Sequence, residues 1–198
     1  MKHNLLAVSH DAGGAEVLSS YLKHSLNRYR NLECVVQGPA KRIFLRKGLK
    51  SCIVSAREGK KSIFDREIDM LVTSTSRSSD LEKKFIKLAK DHSIKTVAML
   101  EHWIYYRERF DYPSRGWKAN LPDEIWVVDK LAKRIAEKDF GKEISVKIKP
   151  NLFFKDLRLE YKNTEPGKNS KFFNILFLNE PVLGRGILKK KKIKNAEV

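Results

Sequence analysis

Short apolar runs alternating with amphipathic stretches constrain the fold of this chain more than any single motif does. Leu5-Leu6-Ala7-Val8, Cys34-Val35-Val36 and Met70-Leu71-Val72-Thr73 read as strands, as do residues 96–100, 125–128 and 144–148, with 52–54 as a weaker one. Continuous apolar runs of this length, bounded by Gly, Pro or polar clusters, suit strands buried on both faces. Between them, residues 15–26 place Val17, Leu18, Tyr21, Leu22 and Leu26 on one helical face, and residues 80–92 do the same with Leu81, Phe85, Leu88 and Ala89. A short helix over 41–47 stops at Gly48, and Asp129 stands where it would cap a helix over 131–138. Ser79 followed by Glu82 has the spacing of a capping box.

Strand and helix in alternation predict βα units and a parallel sheet. The expected class is therefore a Rossmann-like α/β fold, an open, mostly parallel sheet with helices on both faces, over residues 1–160. Residues 161–171 are polar, contain Pro166 and Gly167, and read as a linker. Residues 172–181 read as the first strand of a further domain, and 182–198, with four consecutive lysines from Lys189, as a disordered basic tail.

A formal charge of +17 attracts phosphate-bearing partners of any kind, nucleic acid, anionic lipid and nucleotide-linked substrates alike. Specific nucleic-acid binding is not expected, because the lysines are spread through the helices and no recognised motif accompanies them. The two cysteines, Cys34 and Cys52, lie in apolar runs and read as small hydrophobes in a reducing, cytoplasmic setting. The apolar run at the N-terminus is too short for a signal-peptide core, and nothing approaches a membrane span, so membrane contact would be peripheral, at the inner face.

Ligands of open parallel sheets bind at the carboxyl ends of the strands, where loops converge and helix N-termini present N–H groups. Three polar segments fall there. The first is Ser9-His10-Asp11-Ala12-Gly13-Gly14, with Glu16 in the next turn; it is not the GxGxxG dinucleotide fingerprint. The glycines either make a tight turn capped by Asp11 or admit a ligand, and His10 and Asp11 add acid–base capacity. The second is Ser74, Thr75, Ser76 and Arg77, suited to a phosphate or to sugar hydroxyls, with Ser78 and Ser79 explained by capping. The third is Glu101-His102-Trp103, followed by Tyr105, Tyr106, Arg107 and Arg109, which either line a sugar site or pack. No metal-ligand spacing, nucleophile elbow or Walker loop is present, and no cofactor is expected.

In this order the pieces resemble the N-terminal half of a GT-B type glycosyltransferase. The strand and loop of residues 5–14, the units through Ile148, the connector over 151–171 and the strand Asn174-Ile175-Leu176-Phe177-Leu178 correspond to that plan. The resemblance implies an acceptor-binding domain facing a nucleotide-sugar donor domain, in polysaccharide or glycoconjugate biosynthesis, with a sugar or lipid-linked acceptor. It implies Asp11, His10 or His102 as the base that deprotonates the acceptor hydroxyl. Ser9, Gly13, Gly14, Glu16, Ser74, Thr75, Ser76, Arg77, Glu101 and Trp103 would contact substrate. The second domain of that plan would begin where this sequence ends, which implies a truncated transferase or a partner chain supplying the donor side. A non-catalytic module that binds a sugar or nucleotide phosphate, and a sugar-nucleotide epimerase of similar plan, remain open.

Overall fold

The structure, a computed structural model, describes residues 2–162, which belong to one unit. The strands are β1 (His3–Ser9), β2 (Tyr29–Val36), β3 (Ile53–Val54), β4 (Met70–Thr73), β5 (Lys95–Leu100), β6 (Glu124–Val127) and β7 (Ser145–Ile148). They are parallel throughout and form one seven-stranded sheet in the order β3-β2-β1-β4-β5-β6-β7. The helices are α1 (Ala12–Lys23), α2 (Pro39–Arg46), α3 (Ala56–Phe64), α4 (Leu81–Asp91), α5 (Lys130–Phe140) and α6 (Leu152–Glu160). This is a Rossmann-like α/β architecture.

Strand periodicity divides the core in two. Leu6 and Val8 of β1, Ala98 and Leu100 of β5 and Ile125 and Val127 of β6 face Ile63 of α3, Phe85, Ile86 and Ala89 of α4, and Ala132 and Ala136 of α5. Leu5 and Ala7, Val97 and Met99, and Trp126 face the other way, onto Leu18 and Leu22 of α1 and Phe44 of α2. Leu152 and Phe153 of α6 close that second layer. The α6 carboxylate Asp156 ties it to α1 and α2, accepting from Ser20 Oγ (2.9 Å) and Lys47 Nζ (3.1 Å) and pairing with His24 Nε2 (2.6 Å).

From β1 the chain first builds outward through β2 and β3, then returns to lay β4 against the other side of β1. The strand order reverses there, and crossover helices leave the two strands toward opposite faces. A crevice results at the carboxyl ends of β1 and β4, and the polar segments after β1, β4 and β5 all open onto that end of the sheet.

Several boundaries differ from those the sequence suggests. Helix α1 starts at Ala12, so Gly13 and Gly14 lie in its first turn and make no turn of their own. Gly14 is there for contact: a Cβ would stand 2.6 Å from Ser74 Cβ in the loop after β4. Gly13 is less constrained, since its Cβ would meet Glu101 Oε1 at 3.6 Å, an ordinary contact. Helix α3 has no counterpart in the apolar pattern, because its buried positions are Gly59, Ser62 and Ile63. The start of the expected connector is α6, with Asn151 Oδ1 accepting from Phe153 N at its N-terminus (3.2 Å). Cys34 is buried and Cys52 partly so, and both are free. Among the described residues no helix is long and apolar enough to cross a membrane. The expected strand over 172–181 and tail over 182–198, and all but the first two residues of the expected linker, lie outside the described residues.

Gly14→Ala is expected to cost about 1–3 kcal/mol, because the added methyl must displace Ser74 or the helix. Gly13→Ala is expected to fall within about 1 kcal/mol of wild type, the helical preference for Ala offsetting any local crowding. Urea denaturation of the two variants side by side checks the contrast.

Candidate functional site

Helix α1 places Asp11 at its N-cap position, yet the Asp11 side chain makes no capping bond. Its carboxylate turns sideways into the crevice. Oδ1 meets His10 Nδ1 at 2.8 Å and accepts from Ser78 Oγ, while Oδ2 accepts from Arg77 N at 3.2 Å. Burial works against the charge on Asp11, but hydrogen bonds from Ser78, His10, Ser76 and the Arg77 N–H outweigh it and hold its pKa below the ordinary value. The imidazole of His10 lies against Gly38, the residue before α2. Gly38 has φ +53°, and a Cβ there would stand 2.7 Å from His10 Nε2. This is a left-handed backbone that favours glycine, at a position that also has no room for a side chain.

Beneath the dyad the hydroxyl-rich loop is spent on itself. Ser9 Oγ and Ser74 Oγ are 2.8 Å apart, Ser76 Oγ accepts from the N–H groups of Ser78 (3.1 Å) and Ser79 (3.0 Å), and Thr75 Oγ1 accepts from Arg109 Nη1 (3.3 Å). Ser9, Ser74, Thr75 and Ser76 are all buried. They form the floor of the crevice, and Arg77 forms its rim.

Glu82 is the largest departure from expectation. The capping-box spacing sends its carboxylate back to the start of α4; instead Asp80 occupies the N-cap position, Ser79 Oγ accepts from Leu81 N (3.1 Å), and Glu82 turns toward β1. Its Oε1 accepts from His10 N (2.8 Å) and Ser74 Oγ (3.1 Å), joining the two loops that form the crevice. Burial pushes its carboxyl up to about 7, with nearby Asp11 adding to the shift and the hydrogen bonds opposing it.

The third wall comes from the end of β5. The Glu101 side chain is only 6% exposed, with Oε1 3.3 Å from Arg109 Nη1 and 3.4 Å from His102 Nε2. Its pKa is raised by burial, against the pull of Arg109 and His102. Tyr106 is fully buried close by, its hydroxyl pushed up to about 12 by burial and by Asp129, Asp139 and Glu101. Glu101 Oε2, Arg109 Nε and the Tyr106 hydroxyl are buried without a protein partner among the described residues. Such groups are costly in a plain core and are tolerated where a site needs them. Trp103 is exposed, with its indole N–H donated to Asp129 Oδ2 (2.9 Å); Asp129 also caps α5 through Ala132 N (2.7 Å).

Of the residues singled out from sequence, His10, Asp11, Ser9, Ser74, Thr75, Ser76 and Arg77 come together at the crevice, and Gly13 adjoins Glu101 and His102. Glu16 stands apart: its carboxylate pairs with Arg46 and, at 3.8 Å, with Lys47 on the α2 side. Gly14 is taken up by packing on Ser74. Sequence reasoning missed Glu82 as part of the site, left Arg109 open between lining a sugar site and packing, and assigned Ser78 to capping. Among the described residues no cluster of three or more His, Cys, Asp or Glu is arranged to hold a metal ion.

Glu82 gives a test of this geometry through pH. A carboxyl raised from 4.5 to about 7 takes up a proton on folding, so its contribution to stability is full below about pH 4.5 and is lost as pH rises through about 7. Glu82→Gln keeps an acceptor for His10 N without the charge. It is expected to match wild type near pH 4 and to exceed it by roughly 3 kcal/mol at about pH 8.5 in urea denaturation. A variant whose stability tracks wild type at both pH values would contradict the burial of this carboxyl.

Neither a protein-family model nor a curated protein matches the chain. What distinguishes the crevice is its own chemistry: two histidines, each against a carboxylate, set above a buried arginine at the strand-order reversal of a parallel sheet.

Proposed function

We propose that this chain is the acceptor-binding side of a glycosyltransferase-like protein, with His10 as the general base that takes the proton of the attacking sugar hydroxyl. The observation that carries this is the His10 Nδ1–Asp11 Oδ1 contact of 2.8 Å at the crevice. With Nδ1–H donated to Asp11, the base on the imidazole is Nε2. Asp11 fixes that tautomer and stabilises the imidazolium once the proton is taken. Ser78 and the Arg77 N–H hold Asp11 in turn, and Glu82 holds the backbone of His10.

The charge distribution favours a hydroxyl-bearing ligand over a phosphate at this point. A helix N-terminus in a Rossmann-like crevice is an anion site when it is left bare. Here Asp11 stands at the start of α1, and Glu101 Oε1 comes within 3.6 Å of where a Gly13 Cβ would be. Carboxylates at that position repel a phosphate and accept hydrogen bonds from sugar hydroxyls. The acceptor side of a transferase needs that preference, whereas a nucleotide-phosphate module needs the opposite one. His102 and Glu101 would hold further hydroxyls, while Ser9, Ser74, Thr75 and Ser76 position the loop from below.

The test is a transfer assay on the full chain, alone and with a separately supplied donor domain, over a panel of nucleotide sugars and glycan acceptors, reading released nucleotide. His10→Ala is expected to lower transfer by about 10²–10⁴-fold while acceptor affinity changes little. Asp11→Asn, which keeps the shape and removes the orienting charge, should lower it by at least about tenfold. Transfer by His10→Ala at the wild-type rate would overturn the assignment.

A further inference from the structure

Beside the crevice, the segment leaving β5 exposes three consecutive apolar side chains: Trp103 (40%), Ile104 (60%) and Tyr105 (54%). Two of them are anchored, Trp103 by its edge and Tyr105 by one ring face. The Trp103 indole N–H is held by Asp129, and the Arg77 guanidinium lies 5.1 Å from the centroid of the Tyr105 ring. Tyr105 also adopts φ +58°, a left-handed backbone that is costly for an aromatic residue. Such strain persists where the surroundings over-determine it, and it clusters at ligand clamps. Arg77, over the Tyr105 ring, links the segment to the dyad through its N–H bond to Asp11, and His102, directly before Trp103, meets Glu101 beside Gly13.

An exposed aromatic ring anchored by its edge, as Trp103 is, or by one face, as Tyr105 is under Arg77, offers a flat apolar surface in a fixed direction. That surface suits the C–H face of a pyranose, whose hydroxyls lie around the rim and need polar groups beside the ring. Arg77 and His102 are such groups on either flank. A membrane or a large protein partner would call for a broader apolar area than three side chains bordered by charge.

We propose that Trp103 and Tyr105 form a second sugar subsite, so that the acceptor is an oligosaccharide with its reactive end at His10 and its next unit stacked on this shelf. The inference rests on the acceptor reading above and extends it from one sugar to at least two. Arg77 is then a positioning residue for both subsites, its backbone ordering Asp11 and its guanidinium ordering Tyr105.

Titration calorimetry and saturation-transfer NMR of the full chain against β-linked glucose and N-acetylglucosamine oligomers, from the monosaccharide to the tetrasaccharide, test this. Wild type is expected to gain at least about tenfold in affinity from monosaccharide to trisaccharide, the size of effect one good stack supplies. Trp103→Ala and Tyr105→Gly should each lose most of that gain while monosaccharide affinity stays within about twofold, and Trp103→Tyr should recover part of it. Both positions are exposed, and glycine relieves the positive φ at 105, so the fold is retained. Affinity independent of length, or a length gain that survives both substitutions, would overturn the shelf and leave the acceptor reading standing. Failure of every sugar to bind at any length would overturn both.

Discussion

The close approach of the first turn of α1 to the loop after β4 governs the rest of this structure. It requires glycine at position 14, against Ser74, and it brings the residues that follow β1 within hydrogen-bond reach of those that follow β4. A parallel sheet whose strand order reverses between these two strands would otherwise leave an open cleft there. Here Ser9–Ser74, Arg77–Asp11 and the bridging carboxylate of Glu82 stitch the two loops into one wall. His10 and Asp11 are thereby displayed on a surface with little freedom to move, which is the condition for a preorganised acid–base pair.

The crevice is also unusual in its charges. Helix dipole and glycines together suit a phosphate, yet Asp11, Glu82 and Glu101 converge on the place where one would sit. Burial makes two of these carboxyls resist ionisation, while hydrogen bonds keep Asp11 charged. The result is a site with one firm negative charge beside an imidazole, a buried arginine paired with Glu101, and a Glu82 carboxyl held up to about 7. Polarity of this kind discriminates by hydrogen-bond geometry, as recognition of a polyol demands.

Much of the fold was legible because strands buried on both faces announce themselves as continuous apolar runs, and β1, β4, β5 and β6 each follow one. The parts that were not legible lack that signal. Helix α3 packs through Gly59 and Ser62 on β2, where a Gly59 Cβ would stand 2.5 Å from Val35 Cγ2, so smallness replaces the hydrophobic stripe. The first half of β2 is polar and partly exposed, and α6 has no fully buried residue. At the site, His10 and Asp11 stood out as acid–base residues crowded at a strand end. Glu82 did not, because a capping box explained it locally and its partner lies 72 positions away in sequence. The role of Arg109 stayed open because it follows an irregular aromatic segment whose chain path no periodicity predicts, so its pairing with Glu101 and Thr75 could not be read.

If His10 is the base proposed above, Asp11 holds its Nδ1–H and Nε2 faces the acceptor hydroxyl. Imidazole nitrogen shifts of the five histidines, recorded by NMR on the full chain with and without a glycan acceptor, measure this directly. The His10 ring is expected to be the Nδ1–H tautomer, with an Nε2 resonance that moves on addition of the acceptor. An Nε2–H tautomer at His10, or an Nε2 resonance unmoved by a glycan that binds elsewhere on the chain, would contradict it.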